Sequence, residues 1–187
     1  MRLTKPRFAP LSDAELSPEQ AEALEPMRPG PVLNIFRTLA HAPKALARFN
    51  QWGGYVLSRR NDLPAREREI VILRTGFLCK SGYEWTQHVR IGLREGLTED
   101  EIGRLKQGAN AGWSAADAAL IRASDELHAD QFITEPTWAE LGRHFTPKQC
   151  MDVVFTAGQY TQVSMMLNTF GVQLDQGQTL DPDLKGF

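Results

Sequence analysis

Cysteine is nearly absent: the 187-residue sequence holds two, Cys79 and Cys150. A pair so few and so far apart does not make a disulfide-stapled scaffold, and a reducing compartment disfavours a bridge between them. A charge excess of either sign is also missing. Lys and Arg number 21 against 23 Asp and Glu, a net charge of −2. That argues against nucleic acid or an anionic membrane as a partner, because both require a basic excess. No apolar run approaches the roughly 20 residues of a membrane span. The basic start, Met1-Arg2-Leu3-Thr4-Lys5-Pro6, is not followed by the apolar core of a secretory leader. Alternating apolar and polar residues, the mark of a half-buried strand, occur nowhere convincingly. The expectation is a soluble, cytoplasmic protein. A chain of 21.0 kDa fits one domain, 1–187, able to bury about 70% of its unfolded surface without staples.

Helix signals are plentiful. Ser17-Pro18-Glu19-Gln20 is a capping box with proline at the first helical position. Pro26, Pro29, Gly30 and Pro31 end that helix. Further helices are predicted over about 32–41 and 43–60, the second weakened by Gly53-Gly54. Asn61-Asp62-Leu63-Pro64 stops the chain and restarts it. The run after it, Ala65-Arg66-Glu67-Arg68-Glu69 and then Ile70 to Leu78, is too long for a buried strand. It reads as a buried helix over 64–79. Ser81-Gly82 supplies a turn and a new N-cap for a helix over 82–95, closed by Gly96. Thr98, Ser114 and Thr146 open helices of about 99–107, 115–130 and 147–168, with a short one from Pro136 to about Phe145. The predicted class is all-α, a single-domain bundle of about eight helices joined by short connections. Residues 1–16 and 171–187 read as an extended arm and an extended tail.

The stretch from Cys79 to His88 carries most of the chemistry. Glu84 and His88 are four apart and share one helix face. A carboxylate beside an imidazole can fix its tautomer and let it shuttle protons near neutrality; the same spacing also describes an ordinary surface pair. Glu69 sits where the charged start of its helix becomes apolar. If helices 64–79 and 82–95 form an antiparallel hairpin, Glu69 lies about 16 Å from the turn and His88 about 10 Å. A direct or water-bridged contact is then within reach of extended side chains. Glu69 could equally be a solvated carboxylate at a helix start. Tyr83 and Trp85 flank the same helix start. Cys79 is either a small buried hydrophobe or a lone reactive thiol whose pKa falls beside a helix N-terminus and His88. Arg74 interrupts an apolar face and Arg90 follows His88 by two, so either could hold a substrate carboxylate. Arg59, Arg60, Arg66 and Arg68 read as a solvated helix junction, and Tyr160 as core. Glu69, Glu84 and His88 could in principle ligate a metal. Helical carboxylate sites use Glu-x-x-His from two helices, whereas here the spacing is four and there is one pair. No metal and no cofactor are expected.

Three segments together resemble the carboxymuconolactone decarboxylase family, whose superfamily includes the alkylhydroperoxidase D-like (AhpD-like) proteins. They are Leu63 to Arg74 (LPAREREIVILR), Tyr83-Glu84-Trp85-x-x-His88, and Gly96-Leu97-Thr98-x-x-Glu101-Ile102. The best-matched core is about 60–110, and Tyr160 through Val172 also resembles longer members. The resemblance implies an all-helical, AhpD-like fold assembled as a trimer or hexamer. Peroxidase members carry Cys-x-x-Cys-x-x-x-His with a Glu twelve residues before the first Cys. Aligned on His88, Glu69 falls at the Glu, while Ser81 and Glu84 replace the two thiols. The proton-relay positions are kept and the dithiol is lost.

The resemblance implies a carboxymuconolactone decarboxylase-like enzyme, a lyase using a Glu/His proton relay on a small carboxylated lactone or keto acid. His88 is the general acid/base, Glu84 orients it, and Glu69 completes the relay. A peroxidase-related antioxidant protein using Cys79 is the alternative. A non-catalytic oligomeric protein that binds a small molecule is the third.

Overall fold

The computed structural model describes residues 1–28 and 30–186. Pro29, one of the expected helix breakers, and Phe187, the last residue of the tail, lie outside them. The described residues form nine α-helices and no strand, the all-α class expected. They are α1 (Pro18–Leu24), α2 (Asn34–Leu39), α3 (Pro43–Val56), α4 (Ala65–Leu78), α5 (Gly82–Arg94), α6 (Glu99–Leu105), α7 (Ala115–Asp130), α8 (Glu135–His144) and α9 (Pro147–Phe170).

The start signals act as read. Ser17, Thr98 and Thr146 each accept the backbone N–H three residues on, and Gln20, Glu101 and Gln149 close the reciprocal bonds. Ser81 occupies the N-cap of α5 but makes no capping bond, and its hydroxyl is enclosed without a partner. Helix α3 stops at Val56 rather than near Arg60. The chain turns there through Ser58, whose hydroxyl bonds the Tyr55 carbonyl and accepts the Arg60 N–H.

Helix α4 is the centre of the molecule. Ile70, Val71, Ile72 and Leu73 are all fully buried, so the helix is apolar on every side, as a helix walled in by others must be. It packs on α5, α7 and α9. One core lies between α4, α7 and α9 and includes Leu73, Leu120, Ile121 and Val153. A second, with Ile35, Val56, Ile72, Tyr160 and Leu167, joins α2 and α3 to α4 and α9. Burial of each such aliphatic side chain stabilises the fold by about 1.5–3 kcal/mol.

The arm and tail are not free extensions. The arm's Arg7 N–H bonds the Phe170 carbonyl, and the Met1 amine bonds the Leu184 carbonyl in the tail. The tail's Asp175 accepts from the Asn34 N–H, Tyr83 and Gln87. Short 3-10 turns, Asp13–Glu15 and Pro182–Leu184, interrupt both segments. Among the described residues no helix is long and apolar enough to cross a membrane.

Candidate functional site

Three residues, Cys79 to Ser81, join α4 to α5, and Lys80 takes the left-handed conformation (φ 55°) that reverses the chain. The two helices run back along each other. Glycine sets how closely they approach. A side chain at Gly92 would come within 3.0 Å of Leu97 and 3.2 Å of Leu73, with Glu69 Cβ at 3.8 Å. Its absence lets the second half of α5 press onto α4 at Glu69. The offset expected from helical rise is thereby closed without water: His88 Nδ1 lies 2.8 Å from Glu69 Oε2.

Both partners are buried, Glu69 at 1% exposure and His88 at 7%. A buried carboxylate needs such a partner, because an unpaired charge there is costly. An ionised Glu69 can only accept, so the proton of this bond sits on Nδ1 and Nε2 is left as the working nitrogen. The Tyr160 ring stands edge-on to the imidazole at 4.8 Å and fixes its plane.

Glu84 is buried too, yet it does not orient His88 as expected. Its Oε2 accepts from Ser164 Oγ of α9 at 3.0 Å, and Oε1 is enclosed without a partner. Gly76 makes room for it: a Cβ there would stand 2.6 Å from Oε1. Burial pushes the Glu84 carboxyl well above the usual carboxylate range, and the nearby Glu69 charge adds to this against the Ser164 bond. The Tyr160 hydroxyl is likewise pushed up, first by burial and then by the charges of Glu69 and Glu84. The roles of the two carboxyls are thus exchanged. Glu69 holds the imidazole, and Glu84 is the carboxyl whose charged form burial disfavours.

His88, Tyr160 and Glu84 meet a cavity of about 420 Å³ between α2 and α3 on one side and α5 and α9 on the other, with Glu69 and Ser164 behind them. Its walls are mostly apolar, with Leu33, Ile35, Phe36, Phe49, Val163 and Leu167, and Gly53 and Gly54 of α3 also line it. Glu84, Gln87, His88, Gln159 and Tyr160 bring the polar groups. Gln159 Oε1 is enclosed without a partner. No lysine or arginine lines the cavity among the described residues.

The other sequence candidates fall elsewhere. Arg74 is on the far side of α4. Its Nε bonds Asp125 at 2.5 Å, and Nη1 bonds the Leu105 and Lys106 carbonyls at 2.7 and 3.2 Å. It joins α4 to α6 and α7 and does not reach the cavity. Arg90 is exposed and lines a separate groove beside residues 176–182. Trp85 belongs to the core, with Nε1 donating to Asp181. Tyr83 lines the cavity with its ring, but its hydroxyl is committed to Asp175 at 2.6 Å. Cys79 caps the carbonyl end of α4 and does not line the cavity. Its nearest imidazole is His128, with Sγ to Nδ1 at 3.6 Å, not His88. Burial pushes the Cys79 thiol up, the opposite of the expected fall. Cys150 is buried, and both thiols are free. Among the described residues no cluster of three or more His, Cys, Asp or Glu is placed to hold a metal.

Sequence reasoning missed Ser164, Gln159 and the role of Tyr160. Tyr160 and Ser164 are four apart on α9, so they share a face. Nothing local shows that this face meets Glu84.

Residues 43–125 match the family model of the carboxymuconolactone decarboxylase family. The matched segment runs from α3 into α7 and holds Glu69, Glu84 and His88. Solved structures share the fold over nearly the whole chain. The alkylhydroperoxidase AhpD core of a peroxidase-related protein from Ralstonia eutropha JMP134 aligns with TM-score 0.79 and 19% identity, over 91% of this chain and 93% of that one. A peroxidase-related protein from Silicibacter sp. TM1040 aligns with TM-score 0.74 and 16% identity, over 94% and 92%. The debrominase Bmp8 in complex with 2,3,4-tribromopyrrole aligns with TM-score 0.75 and 10% identity, over 92% and 94%. At these identities the likeness is one of fold. No curated protein matches the sequence significantly.

Within this helical fold, the arrangement is suited to moving a proton. A tautomer-fixed imidazole faces an apolar cavity, and a carboxyl whose ionisation burial disfavours and a phenol stand near it. Such a site can remove a proton, return it, and stabilise the oxyanion that forms in between.

Proposed function

We propose that the protein is a proton-transfer enzyme of the decarboxylase type, acting on a small lactone or keto acid with a largely apolar body. The carrying observation is the 2.8 Å bond between His88 Nδ1 and the buried Glu69 carboxylate. The apolar walls hold the body of the substrate. On loss of carbon dioxide the carbon–carbon bond breaks and its electron pair enters the carbonyl as an enolate. The neutral Glu84 carboxyl and the Tyr160 hydroxyl are the donors available to the enolate oxygen. The imidazolium of His88, steadied by Glu69, then delivers a proton from Nε2 to carbon. No thiol takes part.

Screening for carbon dioxide release from small carboxylated lactones and keto acids tests this. With any substrate found, His88→Ala should lower turnover by roughly 10²–10⁴. Glu69→Gln, which keeps the shape and removes the charge, should also impair it. Turnover indifferent to His88 refutes the proposal. Absence of turnover across the screen, with small molecules still bound, favours a non-catalytic binding protein.

A peroxidase-related activity is the second reading, favoured by the Cys79–His128 contact. The two readings separate on thiol titration after peroxide treatment, because only the second consumes Cys79. Assembly as a homo-oligomer, a trimer or hexamer, also belongs to the proposal. The arm and tail pack on their own chain and give it no support. The exposed Trp52, Phe132, Met151 and Met165 are available to such an interface.

A further inference from the structure

A carboxylated substrate needs a cation, and neither Arg74 nor Arg90 reaches the cavity. Arg68 is better placed. It directly precedes Glu69 on α4, and a helix turns about 100° per residue. Glu69 therefore points at α5 while Arg68 points at the turn between α3 and α4. There its Nη1 meets the Ser58 carbonyl at a long 3.4 Å, and its Nε is enclosed with no hydrogen-bond partner. No carboxylate lies within ion-pair distance of it among the described residues. Its neighbours differ: Arg66 is paired to Glu101 and Asp117, and Arg74 to Asp125. A half-buried guanidinium with most of its fork unused is poorly compensated, and that fork matches a carboxylate.

Arg68 lines a cavity of about 560 Å³ together with Leu57, Arg59, Asn61 and Ala65. Leu57 also lines the cavity at His88, so the two spaces lie on either side of one exposed side chain. Tyr160 links them further. Its ring touches His88, and its hydroxyl feels the positive charge of Arg68. Two carboxylates, Asp62 and Glu95, also border the outer space. Both are exposed, and Asp62 leans toward Lys148 at 3.7 Å.

We infer that Arg68 anchors the carboxylate of the substrate, with Leu57 displaced, so that the rest of the molecule extends past Tyr160 to His88. This rests on the proton-transfer reading and specifies its substrate class: a compound that keeps one carboxylate at one end, across an apolar body from the carboxylated lactone or keto-acid group that loses carbon dioxide at the other. Arg68 is then the specificity-determining residue.

The test uses phenylacetate and its uncharged amide, phenylacetamide, as probes, titrated calorimetrically into the full-length protein. The wild type should prefer the acid by about tenfold or more, the value of one charge-assisted contact. Arg68→Gln should abolish that preference while leaving amide binding within about twofold. Arg68→Lys, which keeps the charge, should restore part of it and guards against a folding defect. Equal binding of acid and amide by the wild type overturns the inference, as does a preference that survives Arg68→Gln. A preference lost in His88→Ala but kept in Arg68→Gln places the anion on the imidazole and also overturns it. None of these outcomes touches the dyad, whose own test is the loss of turnover in His88→Ala.

Discussion

Glu84 allows the electrostatics of the site to be measured without a substrate. Its carboxyl is held well above the ordinary value of 4.5 by burial, so the folded protein keeps a proton that the unfolded chain releases. Between pH 4.5 and the folded-state pKa the unfolded state binds fewer protons, and stability must fall as pH rises. The contribution is fully present below the unfolded value and is lost on the way up. The limiting slope for one group is about 1.4 kcal/mol per pH unit. From pH 5 to pH 7 this amounts to about 2.5 kcal/mol if the folded pKa lies above 7, a large part of a typical stability of about 5–15 kcal/mol. Glu84→Gln removes the titration and keeps an oxygen to accept from Ser164. Urea denaturation of both proteins at pH 5, 6, 7 and 8 isolates the effect, because every other group titrates in each. The variant should gain on the wild type steadily with pH. Parallel curves, with a difference constant to about 0.5 kcal/mol, would mean that Glu84 ionises normally in the fold. The neutral donor in the proposed mechanism would then be lost.

Cys79→Ser and Cys150→Ser should each leave turnover within a few-fold; a peroxide-dependent activity that disappears with either thiol would contradict the mechanism. Arg74→Ala should cost about 1–3 kcal/mol, because it strands the Leu105 and Lys106 carbonyls at the end of α6 and leaves the partly exposed Asp125 of α7 unpaired. Thermal unfolding reads that loss, and KM for any substrate should not move. Light scattering at micromolar concentration should give a mass of three or six chains, and a monomer near 21.0 kDa would remove the oligomer from the proposal.

Local chemistry was enough for the helices. Ser17, Thr98 and Thr146 with their partners three residues on, and the apolar run Ile70 to Leu78, announce starts and a buried centre through interactions spanning a few residues. The Glu69, Glu84 and His88 constellation was legible because its members lie within twenty positions on two helices joined by a tight turn. What only the tertiary structure decided is how those members pair. Gly92 and Gly76 are silent in the sequence, yet the space they leave brings Glu69 to His88 and seats Glu84 against Ser164, eighty positions away. The fate of the arginines was equally hidden. Arg66, Arg68 and Arg74 stand on one helix and look alike in a sequence. Which of them meets a carboxylate depends on whether α6, α7 or the α3–α4 turn lies opposite, and that is set by the packing of the whole core.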